Sequence, residues 1–249
     1  MTHSFLLIGQ SNMSGRGLID EAEYIDKRHI KILRNGHWVP MYRPINPDGY
    51  TAGVNLAERF AECYAQKYGV DVGLICCADG GTSLDQWKQG GLLFDHAVMQ
   101  AKLAQRTSTI AGILWHQGEA DCSESLYTTY KERFFQFQKA LRTELDLFHV
   151  PFLVGGLGDF LKICPLSENL KNYVHMNEVL KSIAREDPMT SFVSAEGLGS
   201  NTDHLHFNSH ALYEFGKRYF DCYETFAPVM LHETEYCEEN RTPTVMEML

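Results

Sequence analysis

Phe5-Leu6-Leu7-Ile8-Gly9-Gln10-Ser11-Asn12-Met13 is the stretch that decides how this chain is read. Ser4 to Ile8 is a short, mostly apolar run cut off by glycine, the pattern of a buried strand. In a parallel α/β sheet the carboxyl ends of the strands open into the crevice where ligands bind. Gly9 permits a sharp turn there. Ser11 is then expected to face the crevice, with Gly15 and Gly17 keeping the following loop thin. A serine hydroxyl becomes a nucleophile only beside a general base. The distant segment Asp203-His204-Leu205-His206 offers one. Serine after a strand is also a common turn residue or helix cap, so the rest of the chain must decide.

Working outward, strands and helices alternate. Leu18 to Asn55 reads as irregular, with turn signals at Asn35-Gly36 and Asp48-Gly49. A helix is predicted from Gly53 to Tyr68, because Val54, Ala57, Phe60, Ala61 and Tyr64 recur at helical spacing and Gly69 follows as a cap. Asp71 to Cys77 is a second buried strand, closed by Ala78-Asp79-Gly80-Gly81-Thr82-Ser83. A helix over Leu92 to Ala104 leads to a third strand, Ile110 to Trp115, which runs into His116-Gln117-Gly118-Glu119-Ala120-Asp121. A long helix over Leu126 to Leu145, a strand over Pro151 to Val154 and a helix over Leu170 to Arg185 follow. A short strand over Thr190 to Ser194 and a last helix over Ser209 to Phe226 complete the series. The alternation predicts a three-layer α/β/α sandwich around a mostly parallel, five-stranded sheet. It also gathers the glycine-rich and polar clusters at one edge of that sheet.

The 249 residues suffice for one such domain, predicted over 1–231, followed by an acidic tail over 232–249. A formal net charge of −10 gives no electrostatic footprint for nucleic acid. No apolar run has the length of a bilayer span. The first strand starts almost at Met1, without a basic n-region or apolar h-region, so the expected location is cytoplasmic. The seven cysteines are scattered, and the odd total suits free thiols. Cys63, Cys76 and Cys77 sit in apolar surroundings as core filler.

Ester hydrolysis needs a nucleophile, a base, a group to orient the base and donors for the developing oxyanion. Ser11, His206 and Asp203 supply the first three. The Ser11 N–H, a Gly80 or Gly81 N–H and the Gln117 side-chain amide are candidate oxyanion donors.

These residues resemble a known family. Gly9-Gln10-Ser11-Asn12-Met13, Gly80-Gly81-Thr82-Ser83, Trp115-His116-Gln117-Gly118-Glu119-Ala120-Asp121 and Asp203-His204-Leu205-His206 look like the blocks of the SGNH hydrolases, in the family's order. The branch they match is the sialate O-acetylesterase and acetylxylan esterase group, carbohydrate esterase family six. The resemblance implies a flavodoxin-like sandwich and metal-free, cofactor-free removal of O-acetyl groups from sugars through an acetyl-enzyme. It carries Ser11 over as nucleophile, Asp203 and His206 as its partners, and Gly81 and Gln117 as oxyanion donors. The asparagine of the wider superfamily's third block is a glutamine here, as is usual for this branch.

Other residues have more than one reading. Trp115 and His116 either line the substrate site or belong to the core. Glu119 either competes with Asp203 for His206 or binds loop N–H groups. Arg16 pairs with Glu119, grips a substrate carboxylate, or is a solvated surface arginine. Gln10 is a substrate-binding or supporting residue beside the nucleophile. Two other functions stay open: an idle sugar-binding module on the same scaffold, and a metal-assisted hydrolase using Asp203, His204, His206 and His210.

Overall fold

The computed structural model describes residues 2–226. The sequence from 227 onward, including the acidic tail, lies outside the described residues.

Seven strands form one sheet: β1 (Thr2–Gly9), β2 (Ile30–Arg34), β3 (His37–Pro40), β4 (Asp71–Cys76), β5 (Thr109–His116), β6 (Phe152–Gly155) and β7 (Thr190–Val193), in the order β3-β2-β4-β1-β5-β6-β7. All neighbours are parallel except β2 and β3. The helices are α1 (Ser11–Ser14), α2 (Leu56–Tyr68), α3 (Leu92–Ala104), α4 (Glu124–Leu145), α5 (Tyr173–Glu186) and α6 (Ser209–Tyr223). The five strands expected from the sequence appear in the order second, first, third, fourth, fifth, which is the flavodoxin-like order.

The expectation of five strands is corrected to seven. Within the stretch read as irregular, Ile30–Arg34 and His37–Pro40 pair antiparallel around Asn35-Gly36. Asn35 and Gly36 have φ of 50° and 80°, both left-handed, the conformation that makes Asn-Gly the preferred two-residue hairpin turn. Ile30, Ile32 and Leu33 of the hairpin are buried, Ile30 and Ile32 on one face and Leu33 on the other. The hairpin extends the sheet because Ile30 to Ile32 pair parallel with β4.

Two helical layers cover the sheet. α2 and α6 pack together on one face. There Phe5 of β1 is fully buried, with the rings of Phe60, Tyr64 and Tyr223 edge-on around it. α3, α4 and α5 cover the other face, where Trp115 meets Trp87, Phe134 and Phe137. The start of α2 follows from a capping box: Asn55 accepts from Ala57 N–H, and Glu58 reaches back to Asn55 N–H. That box, rather than Gly53, sets the first turn. No helix among the described residues is long and apolar enough to cross a membrane.

The end of β1 is the point that creates the site. β4 lies on one side of it and β5 on the other, so the connections leave in opposite directions and open a crevice. Gly9 has φ 131°, and a Cβ there would lie 2.1 Å from His116 O. The chain crosses the neighbouring strand at a distance that only glycine allows. Gln10 N–H then donates to the same carbonyl at 2.9 Å, fixing where the next residue starts.

Candidate active site

Ser11 follows immediately, at the start of the one-turn helix α1. Asn55 Nδ2 holds that turn from the opposite side by donating to Met13 O at 2.6 Å and Ser14 O at 2.8 Å. Ser11 Oγ lies 2.9 Å from His206 Nε2, although 195 residues separate them. His206 Nδ1 lies 2.7 Å from Asp203 Oδ2. An ionised carboxylate only accepts, so Nδ1 carries the ring proton of the neutral imidazole. Nε2 is then the free lone pair, and the Ser11 hydroxyl donates to it.

The Asp203 carboxylate also holds the loop that carries the histidine. Its Oδ1 accepts from Leu205 N–H at 2.9 Å and His206 N–H at 3.0 Å. Burial pushes the Asp203 carboxyl up. The two N–H donors and the His206 ring outweigh burial, leaving the carboxyl below its ordinary value.

Asn12, next to Ser11, fastens the same loop from the other side. Its Nδ2 donates to Leu205 O at 3.2 Å and its Oδ1 accepts from Phe207 N–H at 3.1 Å. Both backbone groups flanking His206 are thus tied to the residue after Ser11. Asn12 Nδ2 also donates to Glu119 Oε1 at 2.7 Å. Glu119 is therefore neither a rival to Asp203 nor a ligand of loop N–H groups. It is the buried anchor for Asn12, with its Oε2 unpartnered.

A second clamp sets the Gly80-Gly81 turn beside Ser11. Asn46 Nδ2 donates to Ala78 O at 2.9 Å, and its Oδ1 accepts from Ala78 N–H at 3.1 Å. Asp48 Oδ2 accepts from Gly80 N–H at 2.9 Å. The Gly80 donor is thereby used, whereas the Gly81 and Ser11 N–H groups carry no hydrogen bond among the described residues. A Cβ on Gly80 would lie 3.8 Å from Ser11 Cβ and 2.6 Å from Arg16 Nη2, so the turn packs directly on Ser11.

Arg16 is accounted for by the same clamp. Its two terminal nitrogens donate to the two Asp48 oxygens at 2.9 and 2.6 Å, and Nη1 also donates to Gly15 O. The pair is nine-tenths buried. Arg16 is thus not paired with Glu119, not a solvated surface residue, and already occupied by a carboxylate of its own chain.

Gln117 is fully buried, and its amide is similarly engaged. Three acceptors surround its two N–H bonds: Asp121 Oδ2 at 2.7 Å, Thr82 O at 3.1 Å and Gln10 Oε1 at 3.2 Å. Its Oε1 accepts from Tyr130 O–H at 2.7 Å, a phenol that burial holds well above its ordinary value and so keeps as a donor. Gln117 thus joins the ends of β1, β4 and β5, and no hydrogen on it is left for an oxyanion. Gln10 supports this junction through its side-chain oxygen, which also faces Gly118 N–H and Ala120 N–H.

Trp115 and His116 belong to the core. Trp115 is fully buried, with Nε1 donating to the Tyr130 hydroxyl. His116 is fully buried, with Nε2 donating to Gly156 O at 3.1 Å, while Nδ1 has no partner and stands 3.7 Å from Glu119 Oε1. The histidines of the metal alternative diverge: His204 Nδ1 faces Ser200 Oγ, and the exposed His210 meets Glu23.

The family model for carbohydrate esterases described as sialic acid-specific acetylesterases matches residues 1–225. The chain belongs to this family. It is a carboxylic ester hydrolase of the carbohydrate esterase kind. The esterase is 26% identical over 241 residues to a probable carbohydrate esterase of Arabidopsis thaliana, covering 85% of this chain and 86% of the relative. An Arabidopsis thaliana crystal structure superposes with a TM-score of 0.78 at 23% identity, over 90% of this chain and 98% of that one. NanS gives 0.69 at 17% identity, over 90% and 97%. A carbohydrate acetylesterase from Xanthomonas citri gives 0.64 at 18% identity, over 88% of this chain and 55% of the other. These superpositions establish the shared fold.

Asn12, Asn46, Asp48 and Asn55 hold the backbone around Ser11 and His206, and sequence reading passed over that role. Asn12 stood inside the first block beside the serine, and Asp48 inside a turn signal. For Asn46 and Asn55, no local pattern points to the distant backbone they hold.

Proposed function

We propose that the esterase removes O-acetyl groups from sugars by double displacement on Ser11, with His206 as the base and Asp203 as its orienting carboxylate. The observation that carries this reading is the unbroken relay from Ser11 Oγ to His206 Nε2 at 2.9 Å and from Nδ1 to Asp203 at 2.7 Å. Ser11 Oγ attacks the acetyl carbonyl carbon while its proton passes to His206 Nε2. The carbonyl π pair moves onto oxygen, where the unengaged Ser11 and Gly81 N–H groups are the donors for the resulting oxyanion. Collapse breaks the bond to the sugar oxygen, and that oxygen takes the proton from Nε2. Water then attacks the acetyl-Ser11 carbonyl, again giving its proton to Nε2. Acetate leaves as Ser11 Oγ recovers that proton. Asp203 keeps Nδ1 protonated throughout and stabilises the transient imidazolium.

The test is acetate release from acetylated sugars and nitrophenyl acetate by the wild type, Ser11→Ala, His206→Ala and the double variant. Each single loss is expected to approach about a millionfold in kcat, with the double variant hardly worse, because the residues act as one unit. Retained turnover in Ser11→Ala, or losses that multiply, would overturn the assignment. Sugar binding without any acetate release from the wild type would leave the scaffold as a binding module.

A further inference from the structure

The base lies on one wall of an open cleft of about 800 Å³, bounded by residues 16–21, 50–53, 200–203, 206 and 208. His206 must hand its proton to the departing oxygen, so the alcohol half of the ester lies on this side of Ser11. The cleft is large enough for a sugar and its glycosidic neighbour. Its uncharged polar residues suit such a ligand: the Thr51, Ser200 and Thr202 hydroxyls can exchange hydrogen bonds with sugar hydroxyls, and the fully exposed ring of Tyr50 offers a stacking face.

The charges of the same lining are one-sided. Arg16 is its one cation, and both Asp48 oxygens already engage that guanidinium. Asp203 is held by His206. Asp20 and Glu21 remain, both exposed on the short turn Ile19–Glu21, and neither has an ion-pair partner among the described residues. A carboxylate on the alcohol would meet two unpaired negative charges and no available positive one.

We propose that the cleft takes the alcohol half as an uncharged glycoside, and that Asp20 and Glu21 disfavour sugars bearing a carboxylate. This inference rests on the Ser11–His206 reading above for the placement of the leaving group. It departs from the sialic acid named in the family's description. Like charges brought together without compensation weaken association strongly, and specificity often lies in such repulsion.

The decisive comparison uses one O-acetylated sialoside as the free acid and as its carboxyl methyl ester, two molecules that differ essentially in that charge. At low ionic strength the methyl ester should show kcat/KM at least about tenfold above the acid. Salt at about 0.5 M should narrow the gap by screening. Asp20→Asn/Glu21→Gln should narrow it as well. Equal rates, a preference for the acid, or a gap that the double substitution leaves intact would overturn the inference. Binding of both sialosides to Ser11→Ala, followed by ligand-observed NMR, reads the cleft without turnover. If no ester is hydrolysed, the esterase mechanism fails, and weaker binding of the acid still supports the charge preference while equal binding refutes it.

Discussion

Asn12→Asp is the perturbation that best isolates how Ser11 and His206 are kept in register. Asn12 donates to Glu119 at 2.7 Å and to Leu205 O at 3.2 Å, and accepts from Phe207 N–H at 3.1 Å. Aspartate keeps the acceptor for Phe207 but sets carboxyl oxygen against Glu119 Oε1 and Leu205 O. Each buried polar group left without its partner costs about 1–3 kcal/mol, so a loss of roughly 3–5 kcal/mol is expected. For a domain of this size that lowers Tm by about 6–20 °C. Glu119→Gln in the same chain restores a donor from the opposite side, leaving only Leu205 O unserved. The assay is kcat, KM and Tm with nitrophenyl acetate for both single variants and the double. A loosened His206 should lower kcat in Asn12→Asp by about a hundredfold, with KM little changed. The double variant should recover at least about tenfold of that, a coupling within the range seen for residues in contact. If kcat survives in Asn12→Asp while Tm falls, or if the double variant recovers nothing, Asn12 does not position His206.

Three further outcomes follow from the site. Asp48→Ala frees the Gly80 N–H and the Arg16 guanidinium together. It should lower kcat by about ten- to a hundredfold more than it changes KM, because the Gly81 donor loses its fixed place; an effect confined to KM in steady-state kinetics would count against that. Gln117→Ala strips partners from Tyr130, Asp121 and Thr82. Its main effect should be a lower Tm, with a kcat loss well short of the roughly 3 kcal/mol of an oxyanion donor; an unchanged Tm with a thousandfold kcat loss would return Gln117 to that role. Asp203 has a folded pKa below its ordinary 3.8, so its contribution to stability is full above that value and disappears as pH falls through the folded one. The Tm gap between wild type and Asp203→Asn should therefore close under strongly acidic conditions and persist at neutral pH. A gap that stays constant across that range would contradict the linkage.

Local pattern was enough for the frame. Short strand-like runs, two of them cut off directly by glycine, marked five strands, helical spacing marked the covering layers, and their alternation required a parallel sheet with a crevice at its carboxyl edge. It was enough, too, to bring forward Ser11, Asp203 and His206 as candidates, since a serine past a strand end and an Asp-x-x-His segment are signals within a few residues. The Asn35-Gly36 hairpin was legible in principle, because its flanks carry apolar residues and its turn is the preferred one. Reading that turn without pairing its flanks cost two strands.

Tertiary structure alone decided which polar groups are spent on one another. Asn12 and Glu119 lie 107 residues apart, Gln117 and Thr82 are 35 apart, and Arg16 and Asp48 are 32 apart. A side-chain amide or guanidinium has the same donors wherever it stands in a sequence. Whether those donors reach a ligand or a neighbouring loop depends on distances that appear only when separate strand ends meet. Burial requires such groups to find partners. In this esterase the partners of Gln117, Arg16 and Glu119 come from its own chain, while the Gly81 and Ser11 N–H groups remain unengaged among the described residues.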